Sequence, residues 1–166
     1  TETSAPATER HPSRRGLLGC FGSAGDLFPL VAIAEELRAR GHEVRFAVPR
    51  SLGAYLRVIG EVGHAIGDGS EVGVLRDDAI VTTGDDGWSS WERTFDHYLA
   101  PGLPGAVDDA HRALERWVPD VVATTTFATA VRAAALSLGL PHVALSIYPS
   151  LSALAGEESS GFAPRY

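Results

Sequence analysis

Between Gly16 and Val48 the chain runs through an apolar strand, a small-residue turn, an amphipathic helix and a second apolar strand. That succession leaves few folds open. Leu17, Leu18, Cys20 and Phe21 make a buried-strand pattern over Gly16 to Phe21, which breaks at Gly22-Ser23-Ala24-Gly25-Asp26-Leu27-Phe28-Pro29. In the helix that follows, Leu27, Leu30, Val31, Ala34 and Leu37 form one stripe at 3, 4, 7 spacing. Glu35, Glu36, Arg38 and Arg40 take the other side, with Glu36 and Arg40 in the favourable i, i+4 order. Pro29 in the first turn and Gly41 past the end punctuate it. Val44, Phe46 and Val48 then alternate along the next strand.

The same alternation continues. Ser51 is expected to cap a short helix with Leu52, Tyr55, Leu56 and Ile59, ended by Gly60, and Val62 to Ile66 reads as a third strand. Gly67 to Gly87 is acidic and glycine-rich; its spacing does not match a calcium loop, and a solvated loop serving as a binding wall fits better. Trp88, Trp91, Phe95, Tyr98 and Leu99 make a helical stripe that reads as core packing or as the wall of an apolar cavity. A helix over Gly105 to Trp117, a buried strand over Asp120 to Thr125, a helix over Phe127 to Leu138 and a strand over His142 to Tyr148 complete the pattern. Residues 1–14 are expected to be a disordered arm, 15–148 one domain, and 149–166 an irregular tail or loop. Strands alternating with helices across short Gly and Pro turns predict a parallel sheet with helices on both faces.

At 166 residues and 45% hydrophobic, the chain can bury one sizeable core. A net charge of −7 argues against electrostatic binding to nucleic acid or an anionic membrane, though it leaves room for a local basic patch. All 14 basic residues are Arg, so lysine chemistry is excluded. Cys20 is the single cysteine and reads as a core residue, so no disulfide framework or secretion is indicated and a cytoplasmic setting is expected. No run reaches the length of a membrane span, no metal site is indicated, and the start without Met implies processing or trimming.

From the residues alone, the turn at 22–29 has three readings. A dinucleotide fingerprint is weakened because Gly19, Gly22 and Gly25 are spaced by threes and the second strand ends Val48-Pro49-Arg50 without a ribose-binding acid. Arg50 facing a 2′-phosphate keeps an NAD(P)-dependent oxidoreductase in view. Asp26 as N-cap of the helix is the structural reading. Asp26 as general base is the third: in a parallel sheet it shares the carboxyl edge with Thr124, Thr125, Thr126, Ser146 and Tyr148.

The block from Gly22 to Val44, with its Gly-Asp-x-x-Pro turn and Arg-Gly-His-Glu-Val ending, resembles the amino-terminal half of nucleotide-sugar-dependent family 1 glycosyltransferases, most of all the bacterial natural-product type. Pro119 to Phe127 and Leu138 to Val143 resemble a second block, and together they span most of residues 15–148. The resemblance implies a Rossmann-like half of a GT-B enzyme that binds the acceptor, with Asp26 as base in an inverting displacement. Where this family's base is His, an Asp often orients it; Thr125 stands at about that place, so no such dyad can form. The resemblance also implies acceptor contacts from Phe28, Trp88, Trp91, Phe95, Thr125, Thr126, Ser146 and Tyr148, and donor contacts from Gly22, Ser23 and Gly25. It implies no cofactor, a nucleotide-diphosphate sugar as co-substrate and a small-molecule acceptor, and it leaves a homodimer open. Nothing after Tyr148 resembles the family's donor-binding domain, so the chain is expected to be inactive without one. A non-catalytic module or subunit of a split glycosyltransferase is the alternative.

Overall fold

The computed structural model describes residues 12–69, 96 and 100–146. In chain order these are β1 (Arg15–Gly19), α1 (Ala24–Ala39), β2 (Glu43–Pro49), a 3-10 turn (Arg50–Leu52), α2 (Gly53–Val58), β3 (Gly63–Ile66), α3 (Leu103–Arg116), β4 (Val121–Thr125), α4 (Thr129–Ser137) and β5 (His142–Leu145). The five strands form one sheet in the order β3-β2-β1-β4-β5, and every pairing is parallel. β1 is central, with Leu18 opposite Phe46 on one side and Ala123 on the other. The parallel α/β sheet expected from the alternation, Rossmann-like as the resemblance implied, is the observed one.

Successive side chains on β1 point to opposite faces, so each face carries its own core. Leu18, Val44, Phe46 and Val48 pack with Leu27, Leu30 and Ala34 of α1 and Leu56 of α2. Leu17, Ala47 and Val122 pack on the other side with Ala110, Ala113 and Leu114 of α3 and Val131, Ala134 and Ala135 of α4. Each large aliphatic side chain buried this way contributes about 1.5–3 kcal/mol.

Several boundaries differ from the sequence expectation for local reasons. α1 begins at Ala24, so its N-cap is Ser23 and not Asp26, and Pro29 lies inside the helix rather than in its first turn. Pro49 leads straight into the 3-10 turn, which places Ser51 within that turn. Neither it nor α2 has a side-chain cap. β1 ends at Gly19, although the Cys20 amide still donates to the Ala47 carbonyl at 3.1 Å. Glu36 and Arg40 pair at 2.7 Å as their spacing predicts, whereas Arg38 turns inward to grip Glu61 through two bonds of 2.8 and 2.7 Å and the Val44 carbonyl at 3.0 Å. Ser13 and Arg14 run beside the α1–β2 turn, with the Ser13 hydroxyl donating to the Gly41 carbonyl at 2.7 Å.

Candidate functional site

The chain leaves β1 at the carboxyl edge of the sheet and must reverse into α1 within four residues. Gly22 makes that reversal with φ +117°, a backbone region that suits glycine. Ser23 then caps the helix, its hydroxyl accepting from the Gly25 amide at 3.2 Å. Asp26, in the third helical position, closes the box from the other side. Its Oδ2 accepts from the Ser23 amide at 2.8 Å and from the Ser23 hydroxyl at 3.3 Å. The Ser-x-x-acid spacing of Ser23 and Asp26 is itself the signature of such a box, so this pairing was readable from the sequence.

The turn therefore holds a carboxylate at the positive end of α1, on the edge where open α/β sheets bind ligands. Asp26 is only 6% exposed. Cys20 lies on the α1 side of the sheet, and its thiol is pushed up to about 12, first by burial and then by the negative charge of Asp26. That cysteine is an inert core group, as its place in a strand suggested.

The other expected site residues scatter along the same edge. Thr124 faces the α4 side, where its hydroxyl lies 2.8 Å from Nε2 of His142. Burial, and then the Arg132 charge, hold the His142 imidazole below its usual pKa. Thr125 points the opposite way, to the α1 side that it shares with Ala123. It is 3% exposed, and its buried hydroxyl oxygen has no hydrogen-bond partner among the described residues. Thr126 and Ser146 are exposed beyond the ends of β4 and β5. Phe28 is 54% exposed and meets Tyr55 edge to face, with ring centroids 5.8 Å apart. The structure thus gathers Gly22, Ser23, Gly25 and Asp26 in one turn, sets Thr125 on the adjoining strand end, and points Phe28 toward α2. Trp88, Trp91, Phe95 and Tyr148 lie outside the described residues, as does all but the start of the acidic stretch from Gly67.

Arg50 is engaged rather than waiting for a 2′-phosphate. Its Nε donates to the Gly67 carbonyl at 2.8 Å, and its Nη2 stands 3.8 Å from Asp109. A cleft of about 550 Å³ opens at the opposite, amino edge, between Arg38, Glu43, Arg45, Glu61 and Trp117. Arg45 lies over the Trp117 ring there, 4.8 Å from its centroid, and Arg38 is held by Glu61. Its cations are thus occupied by the protein itself, and the cleft is on the wrong edge to share chemistry with Asp26. Among the described residues no group of three or more His, Cys, Asp or Glu could hold a metal ion, and no helix is long and apolar enough to cross a membrane.

Comparison with known proteins agrees with the resemblance noted from the sequence. Residues 17–69, which carry the whole turn and α1, match the glycosyltransferase family 28 N-terminal domain. Among solved structures, the glycosyltransferase SnogD from Streptomyces nogalater is 29% identical, covering 86% of this chain and 38% of its own, with a TM-score of 0.60. The glycosyltransferase SsfS6 of Streptomyces sp. SF2575 is 25% identical, covering 86% and 43%, with a TM-score of 0.63. The spinosyn forosaminyltransferase SpnP is 25% identical, covering 86% and 33%, with a TM-score of 0.61. This chain therefore spans less than half the length of each of these enzymes, and its fold is that of one Rossmann-like half of a GT-B glycosyltransferase. No curated protein matches the chain.

Proposed function

We propose that this chain is the acceptor-binding half of an inverting glycosyltransferase that moves a sugar from a nucleotide-diphosphate donor to a hydroxyl of a small natural-product aglycone. The observation that carries the proposal is the placement of Asp26. A single carboxylate sits in the first strand-to-helix turn, within the segment that matches a glycosyltransferase N-terminal domain. SsfS6 is known in complex with thymidine diphosphate, as is the spinosyn rhamnosyltransferase SpnG, which supports a nucleotide-diphosphate sugar as co-substrate.

In this mechanism the acceptor hydroxyl lies about 3 Å from the Asp26 carboxylate. The carboxylate takes the hydroxyl proton as the oxygen bonds to the anomeric carbon. The nucleotide diphosphate leaves with the electron pair of the bond that breaks, and attack on the opposite face inverts the anomeric configuration. Gly22, Ser23 and Gly25 face the donor. Phe28, Trp88, Trp91, Phe95, Thr125, Thr126, Ser146 and Tyr148 serve the acceptor. Donor binding in this mechanism belongs to a second half of the enzyme, so turnover requires both halves.

The test is Asp26→Asn in an enzyme that contains both halves. An asparagine oxygen still accepts from the Ser23 amide, so the cap persists while the base is lost. The rate should fall about 10²–10⁴-fold with the fold intact. Near-parental turnover in a folded variant overturns the assignment and leaves Asp26 as part of the cap.

A second reading, a subunit of a split glycosyltransferase, is favoured by the exposed apolar side chains of Phe28, Val58, Val62 and Val143. The intact mass of the native gene product separates the two. A product near 17.5 kDa requires a partner subunit, and one of about twice that mass or more carries its own donor domain.

A further inference from the structure

We propose that Arg50 and Asp109 are positioning residues for the acceptor, acting by clamping the backbone of Gly67; this rests on the glycosyltransferase reading above. Gly67 follows β3 directly, at the carboxyl edge that also holds Asp26. Side chains from two other elements hold both polar groups of this residue. Arg50, in the turn after β2, donates from Nε to its carbonyl at 2.8 Å, and its amide donates to Oδ2 of Asp109 on α3 at 3.1 Å. Nη2 of Arg50 stands 3.8 Å from that same Oδ2, and Arg112 holds the other oxygen of Asp109.

The clamp serves the sheet little. The β2–β3 pairing already ends at Pro49 and Ile66, so neither bond extends the ladder. An exposed arginine held in one geometry loses side-chain entropy, and its surface ion pair returns about 0–1 kcal/mol. What the two bonds do determine is the direction of the chain as it leaves β3. Gly67 has φ +78°, and the place a Cβ would take is 3.6 Å from the Ala106 methyl, so the peptide is set down against α3 in one orientation. Ligands of an open parallel sheet gather along this edge. The chain's exit from β3 thus becomes part of the frame that locates an acceptor against Asp26, without Arg50 or Asp109 touching the reacting atoms.

The test pairs a measurement on this chain with kinetics on an enzyme containing both halves. Arg50→Gln and Asp109→Ala each remove one bond. Arg50→Lys keeps the charge but loses the fork that spans a carbonyl and a carboxylate. In this chain, all three should speed amide hydrogen exchange at residues 67–69 while the β1 and β4 amides stay protected. In the enzyme, they should raise the acceptor KM about ten-fold or more, the scale of one charge-assisted hydrogen bond, with kcat changed less than two-fold. Arg57→Gln, at an exposed arginine of α2 that makes neither bond to Gly67, should keep the parental values. An unchanged KM in active, folded variants overturns the positioning role alone, as does a fall in kcat at constant KM. Absence of turnover in the parent enzyme overturns the glycosyltransferase reading, and this assignment with it, whatever the exchange result.

Discussion

Gly22 and Asp26 share one small volume: a Cβ at position 22 would stand 3.2 Å from Cγ of Asp26 and would overlap its Oδ2. The carboxylate folds back across the turn that precedes it because its oxygen caps Ser23, and only a residue without a side chain leaves room. At Gly22, the missing side chain is the space that a carboxylate needs.

Gly22→Ala should therefore be costly twice over, through the clash and through φ +117°. We expect a loss of more than about 1 kcal/mol in urea unfolding, and lowered turnover in a two-domain enzyme because Asp26 is pushed aside. A variant as stable as the parent would mean that the turn re-forms with Asp26 elsewhere.

Ser23→Ala separates the two roles of the turn. It removes the hydroxyl that accepts from Gly25 and donates weakly to Asp26 at 3.3 Å, but keeps the backbone amide that binds Asp26 at 2.8 Å. Stability should fall by about 1 kcal/mol, while kcat stays within a few-fold of the parent. A rate loss as deep as that of Asp26→Asn would show that the hydroxyl, and not the carboxylate alone, acts in the reaction.

Cys20 makes the fold sensitive to alkali. Its folded-state thiol titrates at about 12 against an ordinary value of 9.0. Between those values the unfolded chain has lost a proton that the folded chain keeps, so stability falls as pH rises. The contribution is complete below about pH 9 and disappears on approach to 12. Unfolding at pH 8 and 10.5 should show a smaller alkaline loss in Cys20→Ala than in the parent. The folded parent should also resist thiol reagents at neutral pH.

His64 acts on the acid side. Burial, then the charges of Arg45 and Arg116, depress its pKa, and its Nε2 is buried without a partner among the described residues. A depressed histidine contributes stability above its unfolded pKa of about 6.5, and that contribution is lost as pH falls through the folded value. His64→Gln should flatten the stability curve below pH 6.5. His142, depressed by burial and Arg132, keeps part of the slope. An identical slope in parent and variant would remove His64 from this account.

Thr125→Val replaces the unpartnered hydroxyl with a methyl of similar size. Because leaving a buried hydroxyl unsatisfied costs about 1–3 kcal/mol, thermal unfolding of the variant should occur at a higher temperature. A drop in Tm would mean that the hydroxyl has a partner in solution, such as a bound water.

The order of strands and helices was legible because it rests on local periodicity. Leu27, Leu30, Val31, Ala34 and Leu37 do form the inner stripe of α1, and Leu17 and Leu18 do divide between the two cores. Boundaries were less legible where capping chemistry competed. Asp26 looked like the cap since aspartate is a common one, yet three residues of additional helix moved that role to Ser23 and made Asp26 its reciprocal partner. Arg38 looked solvent-facing by its place on the helix and was drawn inward by Glu61, 23 residues away.

The sequence by itself determined a parallel α/β sheet and the single carboxylate at its first turn, because apolar periodicity and turn chemistry act over a few neighbouring residues. The tertiary structure alone decided which strand lies at the centre and which threonine faces which core. It also decided that Arg50 and Asp109 meet at Gly67. Those outcomes depend on pairing between segments far apart in the chain, where strand register and the filling of shared space, and not local pattern, choose the partner.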